Sequence, residues 1–221
     1  MKSPIGIFGG AFAPFHHGHL RLAIEARERL GLEQVRLVPT AFPAHRPASR
    51  VSPQRRLEWL RLGLRREHGL VADDCEIRRG GASYTVDTLA GLRAENPDTP
   101  LVLLMGADAF AHLHCWNRWP QLLELAHLVV IARADVPLEP PPETLSVLAG
   151  RETDDAALLH QSVAGRWLRL DVPVLDISST RIRRLLKLGQ SLRGLVPDAI
   201  LNSLTAADTA ALTQDDDAKT H

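Results

Sequence analysis

Short apolar runs alternate along this chain with segments of helical period. Ile5, Gly6, Ile7 and Phe8 form a compact apolar run closed by Gly9 and Gly10, which predicts a buried strand leaving through a turn. From about residue 18 to 30, Leu20, Ala23, Ile24, Ala26 and Leu30 fall on one helical face while Arg21, Glu25 and Arg29 fall on the other. Residues 35–38 read as the next strand, stopped by Pro39. Ser52-Pro53 is a helix start, with a capping side chain and a proline at the first helical position, and its helix runs through Leu57, Leu60 and Leu64. Ser83 reads as the cap of a helix over 84–94, ended by Asn96-Pro97. Residues 101–105 and 128–131 are nearly all apolar, as strands covered on both faces should be. Three prolines at 140–142 mark a surface turn before a weaker helical stretch, residues 174–177 read as the last strand, and Ser178 opens an arginine-rich helix.

Strands alternating with helices predict an α/β, Rossmann-like fold with a doubly wound parallel sheet. In such sheets ligands lie beyond the carboxyl ends of the strands, so the chemistry is expected at the first strand-to-helix turn. No linker-like stretch interrupts the first two hundred residues, and a single domain over 1–204 is expected. From Thr205 the composition turns to Ala, Thr and Asp and ends in Gln214-Asp215-Asp216-Asp217, so 205–221 reads as a disordered tail.

Composition narrows the function classes. The 26 Lys and Arg balance 26 Asp and Glu, so a phosphate-binding site should be local, and a nucleic-acid partner is not expected. Only Cys75 and Cys115 occur, far apart, as suits a reducing compartment. The first ten residues are too short for a signal core and no segment approaches 18 consecutive apolar residues, which leaves the cytoplasm as the expected location and no membrane partner.

The strongest chemical signal follows the first strand: Gly9-Gly10-Ala11-Phe12-Ala13-Pro14-Phe15-His16-His17-Gly18-His19. Glycines let main-chain N–H groups approach phosphate oxygens, and a helix N-terminus adds unsatisfied donors and a positive dipole end. His16 and His19 are three apart, on one face of the first helical turn, where both can donate to one anion. Taken alone, the same string also fits a tight turn with solvent-facing histidines, or two ligands of a zinc site that lacks a third at a defined spacing. Neither the Walker A pattern nor Gly-x-Gly-x-x-Gly follows this strand. A second string, Ile177-Ser178-Ser179-Thr180-Arg181-Ile182-Arg183, could hold polyphosphate through its hydroxyls and Arg183, or could be a capped surface helix with solvated arginines.

Together the two strings resemble the nucleotidyltransferase superfamily. His16, Gly18 and His19 match its His-x-Gly-His, and Ser178, Thr180, Ile182 and Arg183 match its second phosphate motif. Ala11 and Ala13 depart from the pattern, standing where the superfamily usually has a hydroxyl residue and Asp. The middle of the chain is similar to the bacterial nicotinate-nucleotide adenylyltransferases. Pro43-Ala44-His45-Arg46 resembles their Pro-Pro-His loop, Ser83-Tyr84-Thr85 their Ser-Tyr-Thr, and Gly106-Ala107-Asp108 their Gly-x-Asp, with Trp116 and Arg133 at matching places.

The resemblance implies AMP transfer from ATP to nicotinate mononucleotide, with Mg²⁺ delivered by ATP and no dedicated metal site. It implies His16, His19 and Arg183 as catalytic residues. Gly9, Gly10, Gly18, Gly106, Asp108, Arg133, Ser178 and Thr180 would face ATP, and His45, Tyr84, Thr85 and Trp116 the mononucleotide. Two alternatives remain at this point: another AMP- or CMP-transferring member of the superfamily, or a weakly active pyridine-nucleotide-binding protein, which Ala11 and Ala13 would favour.

Overall fold

In a computed structural model of the chain, residues 2–44, 48–132, 138–173 and 175–214 are described. The strands are β1 (Ile5–Gly10), β2 (Gln34–Pro39), β3 (Leu70–Ala72), β4 (Leu101–Gly106), β5 (His127–Ala132) and β6 (Trp167–Asp171). They form a six-stranded, all-parallel sheet in the order β3-β2-β1-β4-β5-β6. That order reverses direction between β1 and β4, the switch point at which doubly wound sheets open a crevice beyond their carboxyl ends. Register is continuous from Ile5 opposite Leu101 to Phe8 opposite Leu104, and from Val102 opposite His127 to Gly106 opposite Ile131. β4 is buried until its last residue and β5 throughout, which explains why their sequences carry no alternation.

The longer helices are α1 (His17–Arg29), α2 (Pro53–Gly63), α4 (Thr85–Glu95), α8 (Ser179–Lys187) and α10 (Ala206–Gln214). Short helices complete the order: α3 (Cys75–Arg79), α5 (Ala107–Ala111), α6 (Leu122–Leu125), α7 (Leu145–Leu148) and α9 (Asp198–Leu201). Among the described residues no helix is long and apolar enough to cross a membrane.

By contacts the chain divides into two compact units: Met1–Gly9, Ala23–Arg36 and Tyr84–Val174 in the first, Gly10–Leu22, Leu37–Ser83 and Leu175–His221 in the second. The first unit is pinned by polar groups sunk into its loops. Arg93 of α4 donates to the carbonyls of Leu125, Asn96, Thr99 and Val163. His127 accepts the Arg166 N–H at Nδ1 (3.1 Å), which leaves the proton on Nε2 for the Ser162 carbonyl at 2.9 Å. Burial holds this imidazole below its ordinary pKa, so it acts as a neutral pin.

Three expectations from the sequence are corrected. The last strand is β6, Trp167–Asp171, and Ile177 is in no strand. Trp167, Leu168 and Leu170 are buried while Arg169 is half-buried and Asp171 exposed, so two charged residues disguise a sheet strand. Ser83 does not cap α4; its hydroxyl accepts the Phe42 N–H at 3.1 Å, and Tyr84 stands at the cap position.

The third correction concerns the tail, whose residues 206–214 are helical in α10. Thr205 and Asp208 cap it reciprocally: the Asp208 carboxylate accepts the Thr205 N–H at 2.9 Å and the Thr205 hydroxyl accepts the Asp208 N–H at 3.1 Å. Arg55 of α2 then grips Asp208 at 2.8 Å and the Ser203 carbonyl. Burial opposes ionisation of Asp208, yet the Arg55 and Thr205 hydrogen bonds hold its carboxyl below the ordinary range. An interlocked charge of this kind orders a helix that its Ala- and Thr-rich composition alone would not.

Candidate active site

The second unit contains the 177–183 string and all of the first string but Gly9, and the fold brings them together. β1 ends at Gly10, and the turn that follows places Phe12 in the left-handed region at φ 48°, a conformation a bulky side chain adopts only under constraint. The constraint is visible: the Phe12 ring is 1% exposed, set edge-on to Phe15 at 5.9 Å and to His19 at 5.0 Å. Phe15 in turn stacks on His19 at 5.7 Å, and Gly63 of α2 makes room for it, since a Cβ there would lie 2.7 Å from the Phe15 ring.

His16 is the cap of α1, a role the sequence reading missed. Its carbonyl accepts the Leu20 N–H, and its Nδ1 accepts the His19 N–H at 3.3 Å. That bond fixes the tautomer: in the neutral ring the proton sits on Nε2, leaving an N–H donor at the helix N-terminus. The His16 and His19 rings stack at 3.6 Å, confirming that they share one face. Two rings so close cannot both carry charge cheaply. Burial, reinforced by His17, lowers the His16 pKa to about 4, and burial plus His16 pushes His19 well below its ordinary value. The pair is therefore a neutral donor set at the positive end of a helix.

Gly18 is required by space. A Cβ there would approach His16 Nδ1 at 3.0 Å and the Ile177 carbonyl at 3.1 Å, so this glycine is where the two strings touch. Further along, Ser179 Oγ donates to the Pro14 carbonyl at 3.2 Å, and Arg183 Nη1 donates to the Ala13 carbonyl at 3.0 Å. Arg183 is 6% exposed, and its Nη2 donates to Thr180 Oγ1 at 3.1 Å. Ser178 caps α8 by accepting the Arg181 N–H at 3.2 Å. Two helix N-termini, of α1 and α8, thus belong to one hydrogen-bonded cluster with neutral imidazoles, hydroxyls and a buried guanidinium. Chemically, such a cluster can donate to the oxygens of an anion.

The remaining candidates lie elsewhere. Gly9 closes the first unit's opening segment, and Tyr84, Thr85, Gly106, Asp108 and Trp116 are all in that unit. Gly106 and the exposed Asp108 stand at the carboxyl end of β4, at the start of α5. Tyr84 precedes α4 without a side-chain cap, and the first N–H groups of a helix have no partner within it. Trp116 follows a 3₁₀ turn and is half-buried. Two residues on, Arg118 sits at φ 48° and pairs with Asp87 in the first turn of α4, which ties the Trp116 loop to the start of that helix. No side chain in the sequence reading pointed to this link. His45 and Arg133 lie outside the described residues.

Residues 7–185 match the cytidylyltransferase-like family. The chain is 44% identical over 201 residues to a protein of Aeromonas salmonicida named "Probable nicotinate-nucleotide adenylyltransferase", covering 90% of this chain and 94% of that one. It is 45% identical, with 90% and 93% covered, to a protein of the same name from Marinobacter nauticus. In three dimensions it resembles Plasmodium falciparum nicotinic acid mononucleotide adenylyltransferase, solved with NaAD, at a TM-score of 0.70 and 15% identity over 94% of this chain and 98% of that one; at that identity the likeness concerns the fold. With a sheet that switches at β1, a family match over residues 7–185 and relatives matched nearly end to end, the chain belongs to the bacterial nicotinate-nucleotide adenylyltransferase family of the nucleotidyltransferase superfamily.

Proposed function

We propose that this protein transfers the AMP moiety of ATP to nicotinate mononucleotide, forming nicotinate adenine dinucleotide and pyrophosphate in NAD biosynthesis. The observation that carries the reading is the joining of His16, Gly18 and His19 to the 177–183 segment at two helix N-termini. An oxygen of the mononucleotide 5′-phosphate attacks the α-phosphorus of ATP, the bond to the β-phosphate oxygen breaks, and pyrophosphate leaves. Such a transfer needs placement and charge stabilisation more than covalent help.

His16, through Nε2–H, and His19 donate to the transferring phosphate, while the α8 N-terminus with Ser178, Thr180 and Arg183 serves the β and γ phosphates. Gly9, Gly10 and Gly18 let the triphosphate approach the main chain. Gly106, Asp108 and Arg133 take the adenosine. For the acceptor, the α4 N-terminus at Tyr84 and Thr85 receives the pyridine carboxylate, Trp116 stacks on the ring and His45 completes the subsite.

The donors at the phosphate cluster are imidazoles, hydroxyls and a guanidinium, which suit phosphate oxygens better than a hard cation. A divalent cation, which we take to be Mg²⁺, would come bound to the nucleotide and would supply neutralisation of charge on the triphosphate. The expected location is the cytoplasm.

Pyrophosphate release from ATP with the acid or the amide mononucleotide offered in turn tests the reading. The acid should react with the higher kcat/KM, because donors built for a carboxylate are left unpaired by a carboxamide. Equal values would remove the carboxylate role of Tyr84 and Thr85; no release with either would sink the reaction itself.

A further inference from the structure

Arg56 of α2 belongs to neither phosphate string, yet it is only 2% exposed. Its guanidinium reaches into the main chain: Nη1 donates to the Ala11 carbonyl at 2.7 Å, Nη2 to the Thr40 carbonyl at 2.7 Å and Nε to the Val51 carbonyl at 3.2 Å. Ala11 is the first residue beyond β1 and opens the turn that ends at His16. Thr40 is the first beyond β2, and its N–H donates to the Gly10 carbonyl at 2.9 Å. The next peptide unit is gripped from the other side, because the Ala41 N–H donates to Oε2 of the buried Glu76 at 3.2 Å.

The Thr40–Ala41 peptide is therefore held by a guanidinium at its oxygen and a carboxylate at its nitrogen. The same guanidinium holds the exit of β1. A buried charge is costly unless every contact is good, and only a planar fork can span two carbonyls in fixed directions. The acceptors are main-chain carbonyls that no substitution removes, so the arginine both satisfies them and sets the direction in which each points.

We propose that Arg56 is a positioning residue for nucleotidyl transfer. It fixes the Ala11–His16 turn so that the His16 donor meets the transferring phosphate, and Glu76 steadies it through the shared peptide. The inference rests on the proposed ATP-dependent reaction. Arg56→Lys keeps the charge and loses the fork. It should bind ATP about tenfold more weakly by direct titration, and its kcat should fall about tenfold to a hundredfold per folded molecule, as a misplacement near 1 Å does. Glu76→Gln, the milder change, should move both quantities roughly threefold in the same direction.

Both variants are melted alongside the assays so that activity is expressed per folded molecule. A folded Arg56→Lys with parental ATP affinity and kcat overturns the proposal, as does a loss that vanishes once unfolded protein is discounted. If Arg56→Lys does not fold, Glu76→Gln decides alone: parental values there overturn it. ATP titration needs no mononucleotide. A parent protein that binds ATP but yields no dinucleotide would refute the proposed substrate pair and leave the affinity comparison standing.

Discussion

The two units present their candidate residues in opposite ways. In the second, His16, Arg183 and Arg56 are buried, and each is tied to the main chain of the turn or helix it serves. In the first, Tyr84, Thr85 and Trp116 are half-buried, Asp108 is exposed, and the link between the α4 start and the Trp116 loop is a surface ion pair. On the proposed assignment of ligand parts, the difference follows from what each part would demand. Charge that develops on a phosphate is stabilised by dipoles already fixed in place, since reorienting them would cost as much as they return. A planar ring needs an accessible aromatic face and a few donors at its rim, and tolerates looser support.

That contrast can be broken experimentally, and the phosphate side should break hardest. His16→Ala should lower turnover about 10²–10³-fold, as removal of a preorganised donor does. His19→Ala should lower turnover comparably and also the melting temperature, because the ring is enclosed by Phe12, Phe15 and His16. Steady-state pyrophosphate release with thermal melts reads both; near-parental turnover in either variant would remove that ring from the site.

On the looser side a smaller and more selective effect is expected. Trp116→Ala should raise the mononucleotide KM about tenfold, the scale of one lost stacking partner, with the KM for ATP changed far less. A rise confined to ATP would place the indole on the wrong nucleotide.

The smallest expected effect is on stability against pH. The folded protein keeps His16 neutral down to about 4, against 6.5 ordinarily, so the unfolded chain takes up the proton first. Stability from this group is thus fully present above about 6.5 and is lost as the pH falls toward 4; His19 acts in the same direction. Denaturant midpoints across that window should show the decline, and His16→Asn should flatten it. An unchanged slope in that variant would mean that the ring takes up its proton equally in the folded and unfolded states.

The parts legible in the sequence were those coded within a turn or a strand. His16, Gly18 and His19 lie within one helical turn, and 101–105 and 128–131 are nearly all apolar, as covered strands should be. What stayed hidden depends on partners far along the chain. Arg55 and Arg56 are neighbours in the sequence, yet one holds α10 and the other the first turn. Period gave a clue, since Arg56 precedes Leu60 by four residues and so falls on the apolar stripe of α2. Thr205-x-x-Asp208 is likewise a capping box, set in a segment whose Ala, Thr and Asp composition reads as a tail. β6 was lost because Arg169 and Asp171 break up a run whose other members are buried.

One consequence of the carbonyl clamps reaches beyond catalysis. Ala11 and Ala13 are held through their main-chain oxygens, by Arg56 and Arg183 respectively. Every amino acid supplies that oxygen, so no substitution at either position deletes the clamp. The turn is in this sense insulated against genetic drift: positions 11 and 13 can wander from the superfamily's pattern while the path of the backbone is inherited through two arginines encoded elsewhere. In a lineage of such proteins, change would then be tolerated at the turn and purged at its distant holders.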